Sequence, residues 1–128
     1  MKDTFRHGYR NFRETVALKW GRHYRIDDQF KIILGRNEEE NMALKAYAHP
    51  DDHIMEISDK VGPTLILKGY QPTPEIFTIA AGLIKRYSRH KDSPDPISVE
   101  YWLVKDKNTL HTIQSQELTE SFIEQISI

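Results

Sequence analysis

The sequence predicts a single α+β domain, in which a largely antiparallel sheet is built from β-hairpins. Two main helices and a short C-terminal helix are expected on one side of that sheet. Strand-like runs come in pairs, a helical pattern follows each pair, and the resulting order is β-β-α-β-β-α-β-β-α. With 128 residues, 38% of them apolar, the chain can bury one modest core, so no second domain is expected.

Residues 1–14 form a basic and aromatic arm that precedes the predicted domain, residues 15–128. Two helically spaced sets occur in it, one aromatic and one of arginines: Phe5, Tyr9 and Phe12, and Arg6, Arg10 and Arg13. A helix this short is marginal in isolation, so the arm is expected to dock on the domain, to become ordered on a partner or to stay loose. Docking of its rings on the core is favoured over stacking of the rings on RNA, and the end of an interdomain linker is a further alternative.

A β-hairpin is predicted between the arm and the first helix, with its turn at residues 27–29. Gly21 interrupts the alternation of the first strand, as at a bulge or bend. On that strand Arg22 and Arg25 flank Tyr24, a composition common on strands that contact RNA. The alternative is that Tyr24 is an ordinary amphipathic surface residue.

The first helix is predicted to begin at Glu38 and to run to about Ala48. Asn37 is a good N-cap, and Glu40 follows three residues later to complete a capping box. Arg36 stands at the corner between the preceding strand and this helix. Its guanidinium is expected either to hold a carboxylate of this protein or to bind an external phosphate.

Asn41 shares a helical face with an apolar residue, Leu44, and is therefore expected at the buried edge of the helix. There its side chain would bond to neighbouring backbone, and contact with a ligand is the alternative. Two short strands are predicted after this helix, at residues 53–58 and 64–68.

The second helix is predicted from Pro74, with Thr73 as its N-cap, to about His90. Its last turns are basic. These cations either complement the helix dipole or extend a phosphate-binding surface, and the sequence leaves both interpretations open: Lys85, Arg86, Arg89, His90 and Lys91. Strands at 97–105 and 109–114, with a turn at 106–108, and a helix from about residue 117 complete the chain.

The segment His49-Pro50-Asp51-Asp52-His53 combines residue types that bind zinc. A small metal-dependent hydrolase using His49, Asp51, Asp52 and His53 is therefore one candidate function. The segment follows a helix, however, and no His-x-x-His partner occurs downstream. The favoured interpretation is a loop that ends the helix and in which Asp52 positions the next strand, with no bound metal.

Charge is distributed unevenly in a chain whose net charge is −1. Residues 1–36 hold nine Lys or Arg and four Asp or Glu, so the remaining residues carry a net negative charge. This pattern suggests one basic patch, although folding can also average a linear imbalance. The chain has no cysteine and no apolar run of the roughly eighteen residues needed to span a bilayer. A cytoplasmic protein without a membrane partner is expected.

The corner before the first helix resembles a known signature. Gly35-Arg36-Asn37 with Glu40-Asn41 and Leu44 is similar to the Gly-Arg-Asn…Asn…Leu pattern of the NFACT-R domain, an RNA-binding module. Residues 21–26 and the Glu-Glu-Glu-Asn version of the pattern look most like the branch found on PP-loop ATPases that are described as tRNA thiouridylases. The resemblance covers residues 20–105, but Ile54 and Glu56 stand where many members carry Trp and His.

The resemblance implies a non-catalytic RNA-binding module, with tRNA as the expected RNA and no cofactor. It also implies a partner, since the module would act with, or be fused to, a tRNA-thiolating PP-loop ATPase. No nucleophile–base pair or pair of carboxylates stands out to suggest catalysis. The alternatives are a protein–protein adaptor without RNA affinity and the metal-dependent hydrolase. The candidate RNA-binding residues are Arg22, Tyr24, Arg25, Arg36, Asn37, Asn41, Lys85, Arg86 and Arg89.

Overall fold

Six strands and three helices alternate along residues 21–58 and 61–128, the parts of the chain that this computed structural model describes. The predicted arm and residues 15–20 of the predicted first strand lie outside the described residues. The element order is the predicted one, and in chain order the elements are β1 (Arg22–Arg25), β2 (Lys31–Leu34), α1 (Glu38–Tyr47), β3 (His53–Ile57), β4 (Leu65–Lys68), α2 (Pro74–Arg86), β5 (Ser98–Leu103), β6 (Asp106–Gln114) and α3 (Glu120–Ile126).

The strands form one sheet in the order β1-β2-β4-β3-β5-β6, and every neighbouring pair is antiparallel. Consecutive strands pair as three hairpins, which confirms the predicted α+β class. The hairpins are joined side by side through the β2–β4 and β3–β5 pairs, in which Ile32 faces Leu67 and Met55 faces Tyr101. The central strands are therefore β4 and β3, both short and apolar.

Helices cover both faces of the sheet, which differs from the expected one-sided arrangement. On one face α2 and α3 pack on Ile32 and Leu34, and on the other face α1 packs on Ile33 through Leu44. Successive residues of a strand point to opposite faces. Because β2 presents three consecutive buried apolar residues, it has a hydrophobic face on each side and both need cover.

The turn between β5 and β6 falls at Val104 and Lys105, two residues before the predicted turn at 106–108. The backbone N–H groups of these two residues donate to the carbonyl oxygens of Asp52 and Pro50, at 2.9 and 3.0 Å. Val104 also packs against the α1 side of the core. Contacts distant in sequence thus place this turn, and strand β6 begins earlier than its local pattern indicates.

Helix α2 ends at Arg86, four residues before the predicted end at His90. The chain tightens there, since the N–H of Ser88 donates to the carbonyl of Lys85 at 3.1 Å. The Lys85 ammonium then donates to the carbonyl oxygens of Ser93 and Asp95, at 2.7 and 2.9 Å, and so holds the loop that follows. Residues 87–91 consequently form a turn beside the end of the sheet rather than a last helical turn.

The corner between β2 and α1 is organised around the carboxylate of Glu40, which is only 6% exposed. Asn37 caps the helix as predicted, its side-chain oxygen accepting from the N–H of Glu40 at 2.9 Å. The Glu40 carboxylate accepts two bonds from the Arg36 guanidinium, at 2.9 and 2.6 Å, and a third from the Arg36 N–H at 2.9 Å. The backbone N–H of Gly21 is a further donor. Arg36 therefore holds a carboxylate of this protein, one of its two predicted roles.

Gly21 meets a steric requirement at the same corner. Its φ is 74°, in the left-handed region, and a Cβ there would lie 2.5 Å from the carbonyl oxygen of Leu34. Only glycine combines that φ with so close an approach at low cost. The predicted irregularity at Gly21 is thus the point where the start of β1 meets the end of β2.

We expect Glu40→Gln to lower the free energy of unfolding near pH 7 by about 1–3 kcal/mol. The hydrogen bonds from Arg36 hold the pKa of Glu40 at about 2, below its usual 4.5, because they favour the charged carboxylate. A lowered pKa contributes stability that is present above the unfolded-state value and is lost as the pH falls from there toward 2. The difference between wild type and variant should therefore shrink across that window in urea titrations.

Glu39→Gln is the matched control, because Glu39 lies in the same helical turn but is exposed. It removes the same charge without touching the Arg36 guanidinium. A Glu39→Gln variant as unstable as Glu40→Gln would contradict the assigned role of the buried carboxylate.

Candidate functional site

A groove of about 690 Å³ opens at the end of the sheet where β1 and β4 begin and β2 and β3 end. It extends around that end, from the turn after α2 to the exposed side of α1. Five of the nine candidate residues line it: Arg22, Arg36, Asn37, Asn41 and Arg89. Residues from four separate parts of the chain, which no local pattern connects, thus meet at one place.

Arg22 and Tyr87 form one wall of this groove. The Arg22 guanidinium lies over the Tyr87 ring at 4.8 Å from its centroid, a cation–π contact between the first strand and the end of α2. The Arg22 side chain is exposed, and no carboxylate of residues 21–58 or 61–128 pairs with it. Arg22 therefore presents its charge to solvent in a position fixed by the ring below it.

Tyr24, by contrast, is a core residue. It is 2% exposed and packs with α2 and α3 on the sheet, and its ring centroid lies 6.4 Å from that of Tyr87. Burial and a hydrogen bond to Tyr87 raise the pKa of Tyr24, so its hydroxyl stays neutral. The Tyr24 ring, a candidate RNA contact in the sequence, therefore lies in the core and does not line the groove. The aromatic residue that lines the groove is Tyr87.

Arg36 and Asn37 line the groove while serving the corner. Two Arg36 nitrogens donate to the Glu40 carboxylate, and the side-chain oxygen of Asn37 caps the helix, yet 51% of the Arg36 side chain is exposed. The Glu40 carboxylate raises the pKa of the Arg36 guanidinium through those hydrogen bonds. The guanidinium thus adds hydrogen-bond donors to the groove, but its charge is largely neutralised by its partner.

The side of the groove below α1 is built on Thr64. The backbone N–H of Thr64 donates to the Asn41 side-chain oxygen at 3.0 Å, and the Thr64 hydroxyl donates to the Glu56 carboxylate at 2.7 Å. Asn41 thus makes the predicted bond to backbone, and the backbone belongs to a residue 23 positions away. Lys45 pairs with the same carboxylate at 2.7 Å. Glu56 is therefore an acidic residue in the wall of the groove, as is the exposed Glu38.

Arg89 completes the groove on the turn after α2. Its side chain is exposed, and no acidic side chain in the described parts of the chain pairs with it. Among the described residues four cations line the groove, and two of them, Arg36 and Lys45, are matched by the carboxylates of Glu40 and Glu56. The positive charge available to a ligand is therefore carried chiefly by Arg22 and Arg89.

The remaining candidate cations lie elsewhere or hold other parts of the fold. Lys85 donates to the loop carbonyls after α2, and Arg86 pairs with Glu120 of α3, its Nε lying 3.0 Å from a carboxylate oxygen. Arg25 donates to the carbonyl oxygen of Asp27 at 3.1 Å, and alternation along β1 places it on the sheet face opposite to Arg22. These three residues do not join the groove.

The residues proposed for a metal site are engaged separately. Asp51 pairs with Lys105 at 2.7 Å, which lowers the pKa of Asp51, and buried Asp52 accepts from Lys68 and from the N–H of His49. His53 packs edge-on to Phe77, and burial lowers the pKa of its imidazole. In residues 21–58 and 61–128 no group of three or more metal-ligating side chains converges. Asp52 thus fastens the loop beside the next strand, as the favoured interpretation has it.

Sequence reasoning did not select several residues that line the groove, among them Lys45, Glu56, Thr64 and Tyr87. A signal existed for one of them, since Glu56 departs from the pattern of the family that the sequence resembles. Tyr87 sits at helical spacing with core residues, so its pattern indicated burial alone. Its contact with Arg22 joins residues 65 positions apart and has no local signature.

None of the described helices is long and apolar enough to cross a bilayer.

Comparison with known proteins gives a family and a fold. The model of the family described as NFACT protein RNA binding domain matches residues 21–125. Among solved structures, the chain is similar to the C-terminal part of the fibronectin/fibrinogen-binding protein from Streptococcus suis, with a TM-score of 0.72 and 20% identity. That likeness covers 85% of this chain, which spans about half (49%) of the other, and at this identity it shows the fold alone.

Comparison with curated proteins found no match. The family match nevertheless extends over most of the described residues and includes both the corner at Arg36 and the turn after α2. It confirms the resemblance to the NFACT-R domain and extends it toward the C-terminus over strand β6 and most of helix α3. The chain belongs to the family of NFACT protein RNA binding domains.

Proposed function

We propose that this protein binds RNA through the groove at the end of its sheet. The observation that carries the proposal is the convergence there of Arg22 and Arg89, two exposed guanidiniums without a carboxylate partner in the described residues. A guanidinium presents a rigid fork of donors that matches a phosphate oxygen pair. The family match supports RNA as the phosphate-bearing ligand.

The groove combines features that suit a flexible strand better than a regular duplex. Its volume of about 690 Å³ accommodates nucleotides that leave a stack, and its walls carry both charged and hydrogen-bonding side chains. The Arg22 guanidinium, which lies 4.8 Å from the centroid of the Tyr87 ring, offers a planar cation on which an unpaired base can stack. We therefore assign an unpaired loop or end of a folded RNA to this groove.

The finer assignment is that the RNA is tRNA and that the module acts with, or as part of, a tRNA-thiolating PP-loop ATPase. The likeness of residues 21–26 and 38–41 to that branch of the family supports it. The protein itself would present the RNA and would not catalyse the reaction. It would need no cofactor of its own and no metal at the His49 loop.

We expect Arg89→Glu to weaken RNA binding by about 1–3 kcal/mol, on the order of tenfold or more in Kd, without lowering the melting temperature. Removing one phosphate partner and adding a repulsive charge accounts for the loss, and the exposure of Arg89 accounts for the unchanged stability. Arg36 is unsuitable for this test, because its removal leaves the buried Glu40 carboxylate unpaired. Fluorescence anisotropy with labelled tRNA measures the change.

Lys107→Glu provides the matched control for this reversal of charge. Lys107 is exposed on β6, the strand farthest from β1 in the sheet, and does not line the groove. Equal weakening by both variants would mean that RNA responds to net charge and not to the groove.

Affinity for tRNA should fall with salt with a log–log slope of about −1.4 to −2.7, as two or three neutralised phosphates require. A slope this shallow is expected because half of the groove cations are already paired within the protein.

Folded tRNA should also bind more tightly than duplex DNA of equal charge, since an RNA module uses unstacked bases and 2′-hydroxyls. Titrations of both nucleic acids at several salt concentrations test this expectation. Equal affinity for tRNA and duplex DNA would mean that the groove attracts nucleic acid only through nonspecific electrostatics. Binding of neither nucleic acid would favour the adaptor function.

The finer assignment predicts that tRNA predominates in the RNA that co-purifies with the protein from its own host. Sequencing of that RNA, with the Arg89→Glu variant purified in parallel, gives the measurement. Enrichment of ribosomal or messenger RNA over tRNA would contradict the tRNA assignment and leave RNA binding intact.

A further inference from the structure

Two exposed apolar side chains lie in the groove beside its cations. Met42 of α1 is 66% exposed, Val61 in the connection between β3 and β4 is 84% exposed, and both line the groove. Three other large apolar side chains are exposed in the described residues, and none of them lines the groove: Tyr70, Leu110 and Ile128. One exposed apolar residue is ordinary on a protein surface, but two in one groove with cations suit a ligand that is both anionic and apolar.

The core of the protein uses neither side chain, since both are absent from the two clusters that form it. Met42 stands on the side of α1 that faces the groove, because Lys45, one turn later, lines the groove too. Val61 is exposed although its segment is fixed, since the backbone of the next residue, Gly62, packs closely against the Ile57 side chain. The apolar surface of both residues therefore remains for a ligand.

Hydrogen bonds join the two elements that carry these side chains. The side-chain oxygen of Asn41, next to Met42, accepts from the N–H of Thr64 at 3.0 Å, and Thr64 is the last residue of the connection that contains Val61. The Glu56 carboxylate adds a second link, since it accepts from Thr64 and pairs with α1. Met42 and Val61, the apolar side of the groove, are thus presented by elements whose relative position is fixed within the protein.

We propose that Met42 and Val61 form the base-binding side of this groove and contact the face of an unpaired nucleobase. The inference rests on the proposed RNA-binding function and names the part of the nucleotide that each side of the groove binds. Arg22 and Arg89 bind the phosphates, which carry the charge. The apolar side binds the base, whose flat faces are its least polar surface.

Contact with the face of a base does not read its identity, because the donors and acceptors that distinguish bases lie on their edges. RNAs that differ only in the bound base should therefore have affinities within about threefold of one another. Apolar contact is also insensitive to salt, unlike the phosphate contacts of Arg22 and Arg89. Loss of the apolar side should lower affinity for RNA without changing the salt slope.

Two ligands of equal charge test the contact: a chain of five stable abasic units linked by phosphates, and the same pentamer with one adenine at its centre. The base should strengthen binding to wild-type protein about fivefold or more, as burial of roughly 40 Å² of apolar surface predicts. In the double variant Met42→Gln, Val61→Thr that gain should fall to about twofold or less, with unchanged affinity for the abasic pentamer. Displacement of labelled tRNA, followed by fluorescence anisotropy, measures both affinities.

Leu110→Thr is the matched control for loss of an exposed apolar side chain. Leu110 is 55% exposed on β6 and does not line the groove, so its replacement should leave the gain from the base unchanged. The double variant should keep the wild-type melting temperature, because both of its substitutions are at exposed positions and preserve net charge.

The Met42 methyl group provides a second measurement, which uses wild-type protein alone. In protein labelled at its methionine methyl groups, the Met42 signal should move upfield when the adenine-bearing pentamer or tRNA binds, because the ring current of a base shields a methyl group above its face. The abasic pentamer should leave that signal in place. Met55, buried in the core at 0% exposure, is the internal control.

Each result has a distinct consequence. Equal affinity of wild-type protein for the two pentamers, a gain that survives in the double variant, or a Met42 signal that stays in place when tRNA binds overturns this inference and leaves the proposed function standing. A preference of about tenfold or more for one central base does the same, because edge contacts would then dominate. Failure of wild-type protein to bind tRNA or either pentamer overturns the proposed function and this inference together.

Discussion

The buried carboxylate of Glu40 is the constraint on which the functional end of this domain depends. A carboxylate removed from water is costly unless its oxygens are fully hydrogen-bonded. Here the donors come from the corner and from the first strand: the Arg36 guanidinium, the Arg36 N–H and the Gly21 N–H. Satisfying one charge therefore fixes the end of β2, the start of β1 and the first turn of α1 relative to one another.

That arrangement determines which cations face the groove and how much of their charge is already paired within the protein. Because Gly21 is bound to Glu40, the next residue, Arg22, starts β1 at the groove and lies over Tyr87. Because Arg36 is bound to the same carboxylate, its charge is mostly used within the protein. These contacts fix side chains at the groove and reduce its net charge, so the proposed RNA binding would depend on placed donors and acceptors more than on long-range attraction. A chain with net charge −1 is consistent with that balance.

The basic end of α2 is arranged differently from what the sequence suggested. Its basic end suggested a cluster of cations on one surface, but the helix ends at Arg86 and the cations diverge. Lys85 and Arg86 hold a loop and α3, respectively, while Arg89 reaches the groove from the turn. Cations that are close in sequence thus serve three different regions, because the helix ends between them and the backbone changes direction. Composition alone does not separate cations that hold the fold from cations that face the groove.

What the sequence by itself determined was local in origin. Helix α1 begins where Asn37 and Glu40 predict, and α2 begins after Thr73, because caps act within one turn. Strand order along the chain, the hairpins and the family signature at Gly35-Arg36-Asn37 were also readable, since alternation, turns and short motifs involve adjacent residues.

Only the tertiary structure decided the features that join distant residues. It covers both faces of the sheet, places the β5–β6 turn through bonds to the 50–52 loop, and moves Tyr24 into the core. It also brings Asn41 and Glu56 together on Thr64. The physical reason is the same in each case. These positions are set by burial and by hydrogen bonds between segments, and such pairings follow from the packed sheet, which no single stretch of sequence contains.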